Sequence, residues 1–213
     1  MMAMGPSYRV SFRRRREGKT DYRSRKGLVI SGLPRLVARS TLRHMIAQII
    51  QAKPNGDEVV VFAHSGELTK SYGWKGDCGN VSAAYLTGLL CGYRALARDV
   101  KRVVLDMGLR SPSKGSRILA ALNGVLDAGV EVPHGDDILP DEARVQGQHI
   151  SDYAKKLSSN LDDYRRRFSQ YLERGLQPEQ LPEHFFQVKE KIVSSFSKKS
   201  ERGKRYDVRR KKR

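Results

Sequence analysis

Gly18-Lys19-Thr20, inside the run SFRRRREGKTDYRSRKGL from Ser11 to Leu28, has the residue types that close a phosphate-binding loop. Such a loop wraps a nucleotide's phosphates in backbone N–H groups and needs another glycine five positions earlier. Arg13 stands there, and no apolar strand precedes it. The run instead reads as guanidinium and ammonium groups that grip the phosphates of something larger. Asp106 ends the apolar run KRVVLDMG, where a metal-binding carboxylate of a nuclease could sit. Two ions held about 4 Å apart need several converging carboxylates. RLVARS offers none, and Glu67 and Asp77 fall in a glycine-rich segment, so Asp106 reads as a structural acceptor. Asp141 and Glu142, within the acidic group that also holds Glu131, Asp136 and Asp137, suit a helix N-terminus. His134 and His149 have no serine or cysteine partner in a nucleophile elbow, and read as local hydrogen-bonding or polyanion-contacting groups. In SPSKGSR, Ser113, Lys114, Ser116 and Arg117 gather donors ahead of a helix, whose dipole favours an anion. These residues give no catalytic group, no metal site and no cofactor.

The charge points the same way. Of the formal net charge of +18 on 213 residues, Tyr8 to Lys26 carries +7 and Lys198 to Arg213 carries +8, leaving +3 for the body. Arms of this composition cannot bury enough apolar surface to fold alone. Neither is an amphipathic helix with a wide apolar face, and no lipidation motif is present, so nucleic acid is the expected polyanion rather than a membrane. No segment reaches the roughly 20 apolar residues of a membrane span. The start MMAMGPSYRV lacks the apolar core of a signal peptide. Cys78 and Cys91 lack zinc spacing and read as reduced thiols. The expected location is cytoplasmic.

Several elements must position these groups. RLVARS, HMIAQIIQA and EVVVFAH are β-rich, and the last two are joined across Lys53-Pro54-Asn55-Gly56-Asp57, which predicts an antiparallel meander. In HMIAQII, Met45, Ala47 and Ile49 share one face and Ile46 and Ile50 the other. SGELTKSYGWKGDCGN, with four glycines, reads as a loop presenting Lys70, Tyr72, Trp74 and Lys75. VSAAYLTGLLCGYRALARD predicts a helix capped by Asn80, with Gly88 and Gly92 allowing close approach to a sheet. KRVVLDMG predicts a short strand, and RILAALNGVLDAG a helix stopped by Gly129. A further helix starts near Pro140. Two amphipathic helices follow, one ended by Gly175 and one from about Pro182 with Phe186, Val188, Ile192 and Phe196 as contacts. The fold class is α/β, with helices on both faces of a mixed sheet.

Eight motifs in register carry a resemblance: RRRREGKTDYRSR, PRLVAR, HMIAQII, SYGWKGDCGN, AAYLTGLLCG, LDMGLRSPSKGSR, AALNGVLDAG and VPHGDDILPDEARVQGQHI. From about Tyr8 to Phe196 the chain resembles the archaeal branch of the large-subunit ribosomal proteins that bind 5S rRNA. The resemblance implies a three-layer α/β core with a ribonuclease-H-like sheet but no nuclease activity. It divides the chain into a basic arm (1–27), a core (28–157), a C-terminal helical extension (158–197) and a basic tail (198–213) whose target it does not give. It implies a structural constituent of the large subunit that attaches 5S rRNA to 23S rRNA in the central protuberance, beside neighbouring ribosomal proteins. The residues expected on RNA are Arg9, Arg13, Arg14, Arg15, Arg16, Lys19, Tyr22, Arg23, Arg25 and Lys26 of the arm, Lys70, Tyr72, Trp74 and Lys75, and Lys114 and Arg117. An extended arm of this length would span about 80 Å at about 3.3 Å per residue. Its arginines would point to all sides, and Tyr22 would stack on an unpaired base.

Overall fold

A computed structural model describes residues 5–6 and 8–210, with backbone alone at 136 and 198–210. Strands β1 (Arg35–Ser40), β2 (Met45–Lys53) and β3 (Gly56–His64) form the antiparallel meander, and β4 (Val104–Asp106) joins β1 in parallel. The resulting order is β3-β2-β1-β4. Period-two alternation holds: Leu36, Ala38, Met45, Ala47, Ile49, Val61 and Ala63 are buried together on one face.

Two helices cover that face. Helix α4 (Val81–Leu96) lies on β2 and β3, and α5 (Arg117–Asp127) lies on β1 and runs beside α4. Asn80 caps α4 by accepting from the Ala83 N–H at 2.7 Å. Thirteen of the sixteen residues of α4 are buried. A helix apolar on every side needs cover on every side, and α3 (Ser65–Tyr72), α6 (Glu142–Gln146) and α9 (Leu181–Arg210) supply it away from the sheet. The layers are thus sheet, helix, helix. On the second sheet face, the arm helix α2 (Tyr22–Ile30) lies against β4 alone among the strands it contacts closely. Val59 and Phe62 there are 47% and 45% exposed. Helices thus lie on both faces but unequally: the apolar cover is α4 and α5 on the first, and the second carries α2.

The glycines of α4 serve a different neighbour from the one expected. A Cβ on Gly88 would lie 1.9 Å from the carbonyl oxygen of Ala121, and one on Gly124 would lie 2.1 Å from that of Tyr85. They bring α4 onto α5, not onto the sheet.

The segment expected as an open loop is also different. Ser65 to Tyr72 is helical, with a capping box in which His64 Nδ1 accepts the Gly66 N–H and Glu67 accepts the His64 N–H. Gly73 then turns the chain at φ +73°. Trp74 is fully buried, stacked on His184 with centroids 5.3 Å apart. The helix expected from Pro140 is interrupted by Gly147 at φ +88°, giving α6 and α7 (Gln148–Leu157).

The C-terminal helices α8 (Leu161–Glu173) and α9 are fastened by polar contacts as well as by packing. His184 Nε2 accepts the Lys75 N–H at 3.0 Å, and Arg174 donates to the Gly76 carbonyl at 2.8 Å. Phe185, rather than the expected Phe186, enters the core with Leu181, Val188 and Ile192. Backbone helix continues to Arg210, so the expected tail begins inside α9, and its residues 211–213 lie outside the described residues. The free edge of β3 is closed by side chains: Arg94 donates to the Phe62 carbonyl at 2.6 Å and Arg98 to that of Val60. Arg94 is itself held by Glu67 at 2.6 Å.

Two outcomes follow from this packing. Gly124→Ala forces a methyl group into backbone, at the upper end of the usual overpacking cost of about 1–3 kcal/mol or beyond it. Gly27→Ala, in α2 with open space around it, stabilises by up to about 1 kcal/mol. Thermal melts of the two variants should move in opposite directions. His64 and His184 are both held below the ordinary imidazole value of 6.5, first by burial, then by His44 for the former and by Lys191 and Lys75 for the latter. Each accepts a backbone N–H, which a protonated ring nitrogen cannot do. The unfolded chain takes up these protons near pH 6.5 and the folded chain only at lower pH. This stability is therefore present above about pH 6.5 and lost as pH falls through the folded values. The melting temperature should fall between about pH 7 and pH 5, and His184→Gln, which keeps an acceptor but does not titrate, should weaken the dependence.

Candidate nucleic-acid interface

Period-two geometry sends Arg35, Val37 and Arg39 of β1 to the second sheet face, and the parallel register sets Asp106 opposite Val37, between the two arginines. Arg35 Nη1 lies 2.8 Å from Asp106 Oδ2, Arg39 Nη2 lies 2.9 Å from Oδ1, and the Gly108 N–H also donates to Oδ1 at 2.9 Å. Burial alone would raise the Asp106 carboxyl. The Arg39 hydrogen bond and charge, the Gly108 N–H and Arg35 outweigh it and hold the carboxyl below its ordinary value. Guanidinium groups thus occupy the side of Asp106 where a metal ion would have to approach, and the expected structural role is what the geometry gives.

The same arginine fastens the arm. Arg35 Nη2 reaches Asp57 Oδ2 at 2.8 Å, and Arg25 of α2 reaches the same oxygen at 2.9 Å. Asp21 caps α2 by accepting from the Arg23 and Ser24 N–H groups at 2.9 and 3.3 Å. The arm is therefore helical where an extended chain was expected. Arg13–Arg16 form the one-turn helix α1, Gly18 turns at φ +60°, and Tyr22 to Ile30 follow as α2. An isolated arm of this charge would not order, but Asp57 gives it a carboxylate on the core.

Between α2 and the carboxyl end of β4 lies a groove of about 550 Å³ lined by Arg14, Lys19, Arg25, Arg39 and Arg110, with Asp21 and Asp106 as its acids. Both acids are already engaged, so the groove presents an excess of positive charge suited to phosphate oxygens. Arg14 donates to Thr20 Oγ1 at 2.9 Å, and Lys19 pairs with Glu17 at 2.9 Å.

The expected RNA contacts divide into groups. Arg9, Arg13 to Arg16, Lys19, Arg23 and Lys26 are exposed or nearly so on the arm, while Tyr22 is half-buried against Phe12 with centroids 4.9 Å apart. Lys70 and Lys75 are exposed, but Tyr72 is half-buried against the core and Trp74 is inside it, so the four do not form one surface. That expectation is corrected: Trp74 offers no face to a base, because His184 of α9 has taken it. Lys114 is exposed, while Arg117 is half-buried and donates to the carbonyls of Thr41 and Gly79 at 3.0 and 2.9 Å. Sequence reasoning missed Arg39 and Arg110 in the groove. The two-residue spacing in RLVAR, which puts Arg35 and Arg39 on one strand face, carried a signal for the first.

Among the described residues, no group of three or more His, Cys, Asp or Glu side chains could hold a metal ion, and no helix is long and apolar enough to cross a membrane. Cys78 and Cys91 are free and buried, and burial pushes the Cys91 thiol up to about 12.

Residues 6–101 match the family described as ribosomal large subunit proteins 60S L5 and 50S L18. The chain is 55% identical over 193 residues to the large ribosomal subunit protein uL18 of Methanococcus maripaludis, covering 91% of this chain and 100% of that protein. It is also 55% identical over 191 residues to the uL18 protein of Methanothermobacter thermautotrophicus, covering 90% of this chain and 98% of that one. With identity of this level running over nearly its whole length, the chain belongs to the family of large-subunit ribosomal proteins that these uL18 proteins represent.

Proposed function

We propose that this ribosomal protein binds 5S rRNA and helps attach it to 23S rRNA in the central protuberance, by contact and without catalysis. The observation that carries the reading is the groove between α2 and the carboxyl end of β4, where arm and core arginines converge around engaged carboxylates. A pre-docked helix with cations on several sides can meet two RNA strands at once. The exposed residues Arg9, Arg13 to Arg16, Lys19, Arg23, Lys26, Lys70, Lys75 and Lys114 supply phosphate contacts, with Arg25 and Arg117 set back as half-buried supports. Neighbouring proteins of the central protuberance and the cytoplasmic ribosome complete the setting. An antiparallel meander with β4 added in parallel next to β1 supports a ribonuclease-H-like sheet. Asp106 between Arg35 and Arg39 supports the absence of nuclease chemistry.

The test is the salt dependence of binding to purified 5S rRNA. Replacing Arg13, Arg14, Arg15 and Arg16 by alanine leaves the α2 anchor intact and removes four cations that can each neutralise a phosphate. The slope of log affinity against log salt should flatten by about 0.7–0.9 for each phosphate no longer neutralised. An unchanged slope would show that the arm is not the anchor. Asp106→Asn removes one of the two carboxylates that pair with the buried Arg35 and leaves Asp57, so its cost should stay below the roughly 3–5 kcal/mol of a fully broken buried pair. Wild type and folded variant alike should leave labelled 5S rRNA intact in magnesium or manganese. Cleavage by wild type that vanishes in the variant would establish an enzyme.

A further inference from the structure

Helices α7 and α8 enclose a cleft of about 630 Å³ whose lining includes His149 and Tyr153 of α7, Arg166 and Arg167 of α8, and Asn80 ahead of α4. Its shape comes from a break in α8. Phe168 departs from helical geometry at φ −107°, ψ 18°, and its buried ring meets Tyr153, Tyr164 and Tyr171 at centroid distances of 6.0, 5.4 and 5.9 Å. Phe168 is thereby fixed at the back of the cleft. Tyr153 is braced against it yet remains 45% exposed. Arg166 and Arg167 are exposed, and among the described residues neither forms an ion pair or a side-chain hydrogen bond. The acid in the lining, Asp77, accepts the Gly79 N–H at 3.0 Å. A half-exposed aromatic ring beside two guanidinium groups without carboxylate partners offers stacking for a base and forks for the phosphates on either side of it.

The cleft also adjoins the end of the molecule that holds the arm groove. Arg117 links the turn after β1, through the Thr41 carbonyl, to Gly79, whose neighbour Asn80 lines the cleft. Arg39 of β1 lines the groove from the same end of the sheet.

We propose that the α7–α8 cleft is a second RNA site, taking an unpaired strand with one base on Tyr153 and the flanking phosphates on Arg166 and Arg167. The inference rests on the RNA-binding reading above and extends it to helices beyond the arm. A single strand is the fitting ligand because stacking on an aromatic ring requires a base free of its partner. The consequence is a two-point grip, in which arm and extension hold RNA independently.

Ultraviolet crosslinking of the complete chain, to 5S rRNA and separately to a labelled oligouridine, tests the site directly. The peptide containing Tyr153 should carry the crosslink. Arg166→Glu with Arg167→Glu should reduce that crosslink about tenfold or more and lower the oligouridine salt slope by about 1.5. Tyr153→Ala should abolish it, and Tyr153→Phe should retain it. Because Tyr153 braces Phe168, melting temperatures are read beside each variant, and the exposed arginine pair should leave them unchanged. An unchanged oligouridine crosslink and slope in the folded arginine variant overturns the cleft. If the alanine variant of Arg13 to Arg16 weakens 5S binding while the arginine pair does nothing, the cleft fails and the arm reading stands. If neither changes any RNA binding, both fail. If the arginine pair affects only polyglutamate binding, the cleft takes acidic protein, and the proposal is likewise overturned.

Discussion

The close backbone approach between α4 and α5 leaves no room for even a methyl group at Gly88 or Gly124. That contact sets the depth at which α4 lies, and the other layers are referred to it. With α5 so near, one pair of helices can cover β1, β2 and β3 together, and the far side of α4 becomes a second apolar surface that α3, α6 and α9 must close. Helix α9 is therefore part of the core: Leu181, Phe185, Val188 and Ile192 complete the enclosure of a helix that would otherwise expose one whole side. Trp74 follows the same logic. Once α9 is present, the ring is worth more stacked on His184 than displayed to solvent.

Much of this was legible in the sequence, and what was missed has a common cause. Strand faces and helix caps are local properties. The alternation Met45, Ala47, Ile49 and the cap Asn80 could be read from neighbouring residues alone. The partner of a helix face is not local. Gly88 and Gly92 announced a close approach, but nothing near them told a sheet from Ala121 of α5 and its C-cap Ala128. The glycines of residues 66 to 79 suggested looseness, whereas Gly73 stops a helix and Gly76 packs under the Trp74 ring. At the candidate site, the arm's charge was plain, but its helical state depends on Asp57, about thirty residues away in sequence from Arg25.

Charge is sorted with unusual sharpness along the chain. Between Ile118 and Ala143 there are six acidic residues and no lysine or arginine, in a protein of net charge +18. One of the acids, Asp127, accepts from the buried Tyr85 hydroxyl, and Lys189 lies 3.7 Å from the same carboxylate and 5.0 Å from the Tyr85 ring. Burial, followed by the Asp127 hydrogen bond, pushes the Tyr85 hydroxyl far above its ordinary value, so it stays a donor there. Elsewhere carboxylates that lie among the arginines are committed to them: Asp57 and Asp106 give the cations fixed positions without exposing negative charge to a polyanion.

The side-chain closure of β3 bears on the time before the protein meets its RNA. A strand at the rim of a sheet offers its unpaired amides and carbonyls to any extended chain that comes by, including the same strand of another copy. With guanidinium groups from α4 already on the carbonyls of Val60 and Phe62, that template is blocked at alternate positions. A second strand pairing along Val60 and Phe62 would have to displace two arginines, one of them anchored by Glu67. Newly made chains awaiting assembly therefore meet one another with this edge partly occupied by their own side chains.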